Sequence, residues 1–88
     1  MEQEENVTAD QLRAARALLG LSQARLAELA GFSSMTIKRA EGIGSPAPSK
    51  DAIKVIRAAL EAAGVQFIPE NGGGAGVRLR KIEVGARD

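Results

Sequence analysis

With 88 residues, of which 44% are hydrophobic and only two (Phe32 and Phe67) aromatic, the chain has room for one domain around one modest core, which excludes a catalytic domain joined to a regulatory one. The absence of cysteine and histidine removes disulfides, thiolate zinc sites, thiol nucleophiles and the commonest general base, and no apolar run approaches the roughly 20 residues of a membrane span. Four of the eleven acids (Glu2, Glu4, Glu5 and Asp10) fall in the first ten residues, so seven remain against twelve bases, a basic body compatible with a polyanionic partner or with solubility alone.

Residues 1 to 7 are polar, acidic and aperiodic and read as a disordered tail. An acidic start is the opposite of a signal peptide's basic flank, so a cytoplasmic location is expected, with no membrane partner. Thr8 and Gln11 have the spacing of a capping box, and Leu12, Ala15 and Leu19 form one helical stripe, which predicts a first helix over Ala9 to Leu19. Gly20 is placed to end it and Ser22 to cap a short second helix over Gln23 to Ala30. Gly31 supplies a permissive turn, and Ser33 caps a third segment, Ser34 to Glu41, closed by Gly42. Two short helices joined by a turn containing glycine follow the helix-turn-helix pattern.

The stretch GIGSPAPS concentrates glycine, proline and serine and is a loop. Ser49 is the cap of a fourth helix whose apolar face is Ile53, Ile56, Leu60 and Ala63, with Gly64 as its stop. Residues 65 to 84 then alternate apolar and polar positions on either side of the turn-rich NGGGAG, which predicts a β-hairpin with Pro69 near its turn. Residues 85 to 88 are expected to fray. The fold class is therefore mainly α, four helices over 8 to 64 followed by a hairpin.

The segment LSQARLAELAGFSSMTIKRAEG resembles the helix-turn-helix of the phage Cro and repressor class, the XRE-like family of bacterial regulators. The likeness extends from residue 12 to about 63 and rests on Ser22, Gln23, Leu26, Ala27, Gly31, Thr36, Ile37, Glu41 and Gly42 agreeing together. In helical terms Ala27 is small where helices two and three cross, Ile37 plugs that crossing, and Leu26 is turned toward helix one. The resemblance implies that Ser34, Met35, Lys38 and Arg39, which share one exposed strip, reach base edges in the major groove. Arg39 has the planar fork that suits guanine, Lys38 suits a base or a phosphate, and Met35 a thymine methyl. It further implies that Gln23 bonds a phosphate and braces Ser34. Ser33, Thr36, Ser45 and Lys50, near helix starts, are candidate phosphate contacts. Arg16 and Glu41 match positions that pair in a largely buried salt bridge. Two residues depart from the family pattern: Ala40 is smaller than usual and Arg25 replaces a commoner acid.

Every apolar position and cap named above also suits a helical bundle with no DNA partner, in which Lys38 and Arg39 are a solvated face. The glycines at 72, 73, 74 and 76 suggest a phosphate loop, but no Gly-Lys-Ser/Thr follows, and a hairpin turn is the better reading. Arg78 and Arg80 fall on one face of a strand, either touching DNA backbone or keeping an edge soluble. No catalytic set, metal site or cofactor is expected. The resulting expectation is a DNA-binding transcriptional regulator in the cytoplasm at the nucleoid, a repressor acting on double-stranded DNA as a homodimer. Val65, Phe67, Val77 and Leu79 are the expected apolar dimer face. The alternatives are an antitoxin that neutralises a partner toxin and an adaptor that binds another protein.

Overall fold

The computed structural model describes residues 6–81. Its elements run α1 (Ala9–Leu19), α2 (Gln23–Ala30), α3 (Ser34–Ala40), α4 (Lys50–Ala62), β1 (Val65–Ile68) and β2 (Gly76–Leu79), the two strands forming an antiparallel hairpin. No helix among the described residues is long and apolar enough to cross a membrane.

Each helix starts by the same local chemistry. Thr8, Ser22, Ser33 and Ser49 have extended backbones, and the side-chain oxygen of each accepts the N–H three residues on, from Gln11, Arg25, Thr36 and Ala52. At α1 the box is reciprocal, since the Thr8 N–H donates to Gln11 Oε1 at 2.9 Å. Val7, assigned with the tail from sequence, is half-buried and packs against the core, at the position from which an apolar residue braces the first turn. Residues 1–5, the expected strand residues 82–84 and the expected frayed end lie outside the described residues.

The helix ends are equally local. At Gly31 (φ 78°) the Phe32 N–H reaches back to Ala27 O at 2.9 Å, and at Gly42 (φ 92°) the Ile43 N–H reaches Lys38 O at 2.9 Å while Gly42 itself bonds Arg39 O. Both are left-handed closures that a side chain at the glycine would strain. The third helix therefore stops at Ala40, one residue before its expected end, with Glu41 as its cap.

Leu12 and Ala15 of α1, Leu26 and Ala27 of α2, Ile37 and Ala40 of α3, and Ile56 and Leu60 of α4 meet in one core with Val65 and Phe67 of β1. Ile53 lies at its margin, whereas Ala63, expected on the same face, is exposed because it caps α4 just as the chain turns away at Gly64. Leu26 is buried in the same cluster as Leu12 and Ala15 of α1, while α2 as a whole packs chiefly on α3 and α4 and α1 lies mainly on the two strands.

The hairpin closes that core from below. Val65 pairs with Leu79 and Phe67 with Val77, and the β1 members of these pairs are buried in the monomer. The expected dimer face of Val65, Phe67, Val77 and Leu79 is thus not free. Val65 and Phe67 are core residues, Val77 is half-buried against them, and only Leu79, 53% exposed, remains at the surface. Arg57 of α4 covers the Phe67 ring, its guanidinium 5.1 Å from the centroid. In the glycine-rich turn the N–H groups of Gly72 and Gly74 donate to Glu70 Oε2 at 2.9 and 3.1 Å, so the donors that a phosphate would need are turned onto a carboxylate of the chain itself.

Gln11 joins the two halves. Besides serving the α1 cap, its amide Nε2 donates to Gly76 O at 3.0 Å and Ile68 O at 3.3 Å, the register pair at the turn end of the hairpin. A glutamate suits the cap as well as glutamine but has no N–H for these carbonyls. Gln11→Glu is therefore predicted to lower stability at neutral pH by about 2 kcal/mol, because a carboxylate is left facing two carbonyl oxygens at a buried position. Urea unfolding checks this, and an unchanged midpoint would restrict Gln11 to its capping role.

Candidate nucleic-acid interface

The surface of α3 is oriented by a single buried carboxylate at its end. Glu41, its side chain 1% exposed, receives Arg16 Nε at 2.6 Å on Oε2 and Arg16 Nη2 at 2.9 Å on Oε1. This two-point fork fixes angle as well as distance. Arg16 Nη1 donates in addition to Leu21 O at 2.9 Å, in the turn that leads into α2. Gln23, the first residue of α2, adds its amide Nε2 to Glu41 Oε1 at 3.1 Å, and Arg13 donates to the Glu41 backbone carbonyl at 3.3 Å. One residue at the end of α3 thus fastens α1, the α1–α2 turn and the start of α2. No buried side-chain nitrogen or oxygen among the described residues lacks a partner.

The hydrogen bonds that Arg16 donates to Glu41 hold its guanidinium above its ordinary pKa, while partial burial opposes this and the charge of Glu41 adds to it. A raised pKa on a cation means that its stabilising contribution is present in full below the ordinary arginine value and fades only in stronger alkali. The arginine half of the pair therefore introduces no pH dependence near neutrality.

With Ile37 and Ala40 turned into the core, the other side of the seven-residue α3 faces outward. Ser34, Met35 and Lys38 are exposed and Arg39 is half-buried, with Met35 at 50% exposure on the first turn. Neither Lys38 nor Arg39 forms an ion pair within the described residues, in contrast to Arg13, Arg16, Arg25 and Arg57, each of which has a carboxylate. Two long cations without internal partners beside a hydroxyl and a thioether suit an anionic, hydrogen-bonding surface.

The other expected site residues divide by location. Ser33 and Thr36 hold one another, with hydroxyls 3.1 Å apart and the Thr36 N–H on Ser33 Oγ at 3.2 Å. Ser45 is exposed in the loop after α3, and Lys50 is exposed at the first position of α4. Neither is hydrogen-bonded to α3. The expected bracing of Ser34 by Gln23 is replaced by the bond to Glu41, since a carboxylate is a stronger acceptor than a neutral hydroxyl. Sequence reasoning missed Arg13, although its place one turn before Arg16 puts both guanidiniums on the side of α1 that meets Glu41. It also missed Ile43, 54% exposed directly after α3, for which periodicity carried no signal because the residue lies outside a helix.

Among the described residues no group of three or more acidic side chains is arranged to hold a metal ion. The helix-turn-helix domain family matches residues 9–67, a span from the first residue of α1 to Phe67 of β1. Comparison with curated proteins gave no match.

Removing Arg16 would leave a buried carboxylate held by Gln23 alone. Arg16→Ala is predicted to cost about 3 to 5 kcal/mol, and Arg16→Lys to recover only part of that because a point charge lacks the fork. Thermal melting of the three proteins checks the order. Equal melting temperatures for wild type and Arg16→Ala would show that the pair does not organise the domain.

Proposed function

Because this chain belongs to the helix-turn-helix domain family, we propose that it is a sequence-specific transcriptional regulator of the XRE-like kind, working on double-stranded DNA in the cytoplasm at the nucleoid. The observation that carries this reading is the outward side of α3, where Ser34, Met35, Lys38 and Arg39 are free of internal partners on a helix clamped through Glu41. A rigid helix that presents a guanidinium and short polar groups is what readout in the major groove requires.

In this reading Arg39 forks onto a guanine edge, Lys38 lies between base and phosphate, and Ser34 and Met35 enter deepest. Gln23 keeps a role at the phosphate despite its bond to Glu41, because an amide nitrogen has two hydrogens and the second is free. Ser33, Thr36, Ser45 and Lys50 set register on the backbone. A helix of seven residues covers only a few base pairs, so useful selectivity calls for two half-sites and two copies on an inverted repeat. Bound at such a site, the domain acts as a repressor by excluding other proteins from it.

Selection from random duplexes by the purified protein, followed by titration at two salt concentrations, tests the assignment. Arg39→Ala is expected to relax preference at one position per half-site, costing about 1–3 kcal/mol on the selected sequence. Lys50→Ala is expected to weaken all duplexes alike and to reduce the salt slope by about 1 per bound copy. Uniform weakening by both variants would deny base readout to Arg39, and no enrichment of any sequence would remove the regulator reading.

A further inference from the structure

Among the described residues, one edge of the hairpin is left without a partner. The Arg80 N–H donates to Gly64 O at 2.7 Å, which makes 64/80 a hydrogen-bonded pair. Alternation along an antiparallel ladder then makes 66/78 and 68/76 bonded pairs and turns the N–H and C=O of Val77 and Leu79 away from β1. No described group bonds to them, and from Arg78 to Lys81 the strand is exposed. Its side chains are ordered by face. Arg78, whose Nε donates to Gln66 Oε1 at 2.9 Å, and Arg80 lie on the solvent face, and Leu79 lies on the other. Lys81 follows.

The geometry points to β2 as a docking edge for an extended segment of a partner protein in which acidic residues alternate with apolar or neutral ones. A strand added beside β2 gains backbone bonds from Val77 and Leu79. It sets one row of side chains opposite Arg78 and Arg80, where opposite charges stabilise and like charges do not, and the other row beside Leu79. The same charges discriminate against a second copy of this chain. Antiparallel self-pairing with Val77 opposite Leu79 sets Arg78 against Arg78, and with Leu79 opposite Leu79 it sets Arg78 against Arg80 twice. A register centred on Val77, with Arg78 opposite Gly76, escapes this repulsion. The edge therefore selects an acidic partner by the device that protects it from itself.

Amide hydrogen exchange on the full chain tests this, with a seven-residue probe peptide in which glutamate alternates with threonine and valine. In the dilute free protein the Val77 and Leu79 amides exchange fast. The glutamate peptide slows both by about tenfold or more, whereas a peptide with lysine in place of glutamate does not. Arg78→Glu with Arg80→Glu reverses that preference, and Leu79→Pro, which removes an outward N–H but keeps both arginines, abolishes docking. Slow exchange in the free protein would mean that the chain already covers the edge, and slowing with protein concentration would mean that a second copy does. Either result overturns the proposal. So would peptide binding without amide protection, or a DNA duplex that engages Arg78 and Arg80 while the peptide fails to bind.

Discussion

A carboxylate buried at the end of a seven-residue helix is the constraint on which the rest of this domain depends. So short a helix has little stability of its own, and α3 buries only Ile37 and Ala40. What defines its direction is Glu41, whose two oxygens are taken by Arg16 from α1 and Gln23 from α2. Isolated in the interior, such a charge would be strongly destabilising. Here both oxygens are matched, by three donors, and matching them requires three elements to arrive at one point. Apolar packing alone tolerates small rotations of a helix about its axis; a forked ion pair does not. The outward strip of α3 inherits that rigidity.

The local features were legible in the sequence because their chemistry is local. Four N-caps, the capping box at Thr8 and Gln11, and the glycine closures depend on residues three to six apart, and the helices begin and end within one residue of where those signals place them. The outward strip of α3 was legible for the same reason, since the positions of Ile37 and Ala40 in a helix leave the arc of Ser34, Met35, Lys38 and Arg39 to the solvent.

Depth and long-range partnership were not legible. Alternation in the hairpin shows that Val65, Phe67, Val77 and Leu79 share a face, but period two assigns the same pattern to both strands and does not say which one lies over the core. Burial of β1 and exposure of Leu79 follow from how α1 and α4 lie across the sheet. Gln11 shows the same limit in a polar residue: the cap identifies its oxygen's role, while the carbonyls that take its nitrogen are far along the chain. For Gln23, family likeness suggested Ser34 at the start of α3, whereas its amide is held by the carboxylate of Glu41 at the other end of that helix.

The bonds from Gln11 to Ile68 and Gly76 span 57 and 65 residues, so the beginning of the domain is anchored on its last element. A ribosome releases the two α3-orienting helices well before it releases the strand that seals their core. Until Val65 and Phe67 emerge, Leu12, Ile37, Ile56 and Leu60 have no floor beneath them, and α1 lacks most of the surface on which it packs. Helix α3 is thus not a detachable module. A nascent chain that ends before β1 therefore exposes apolar surface that the full domain buries.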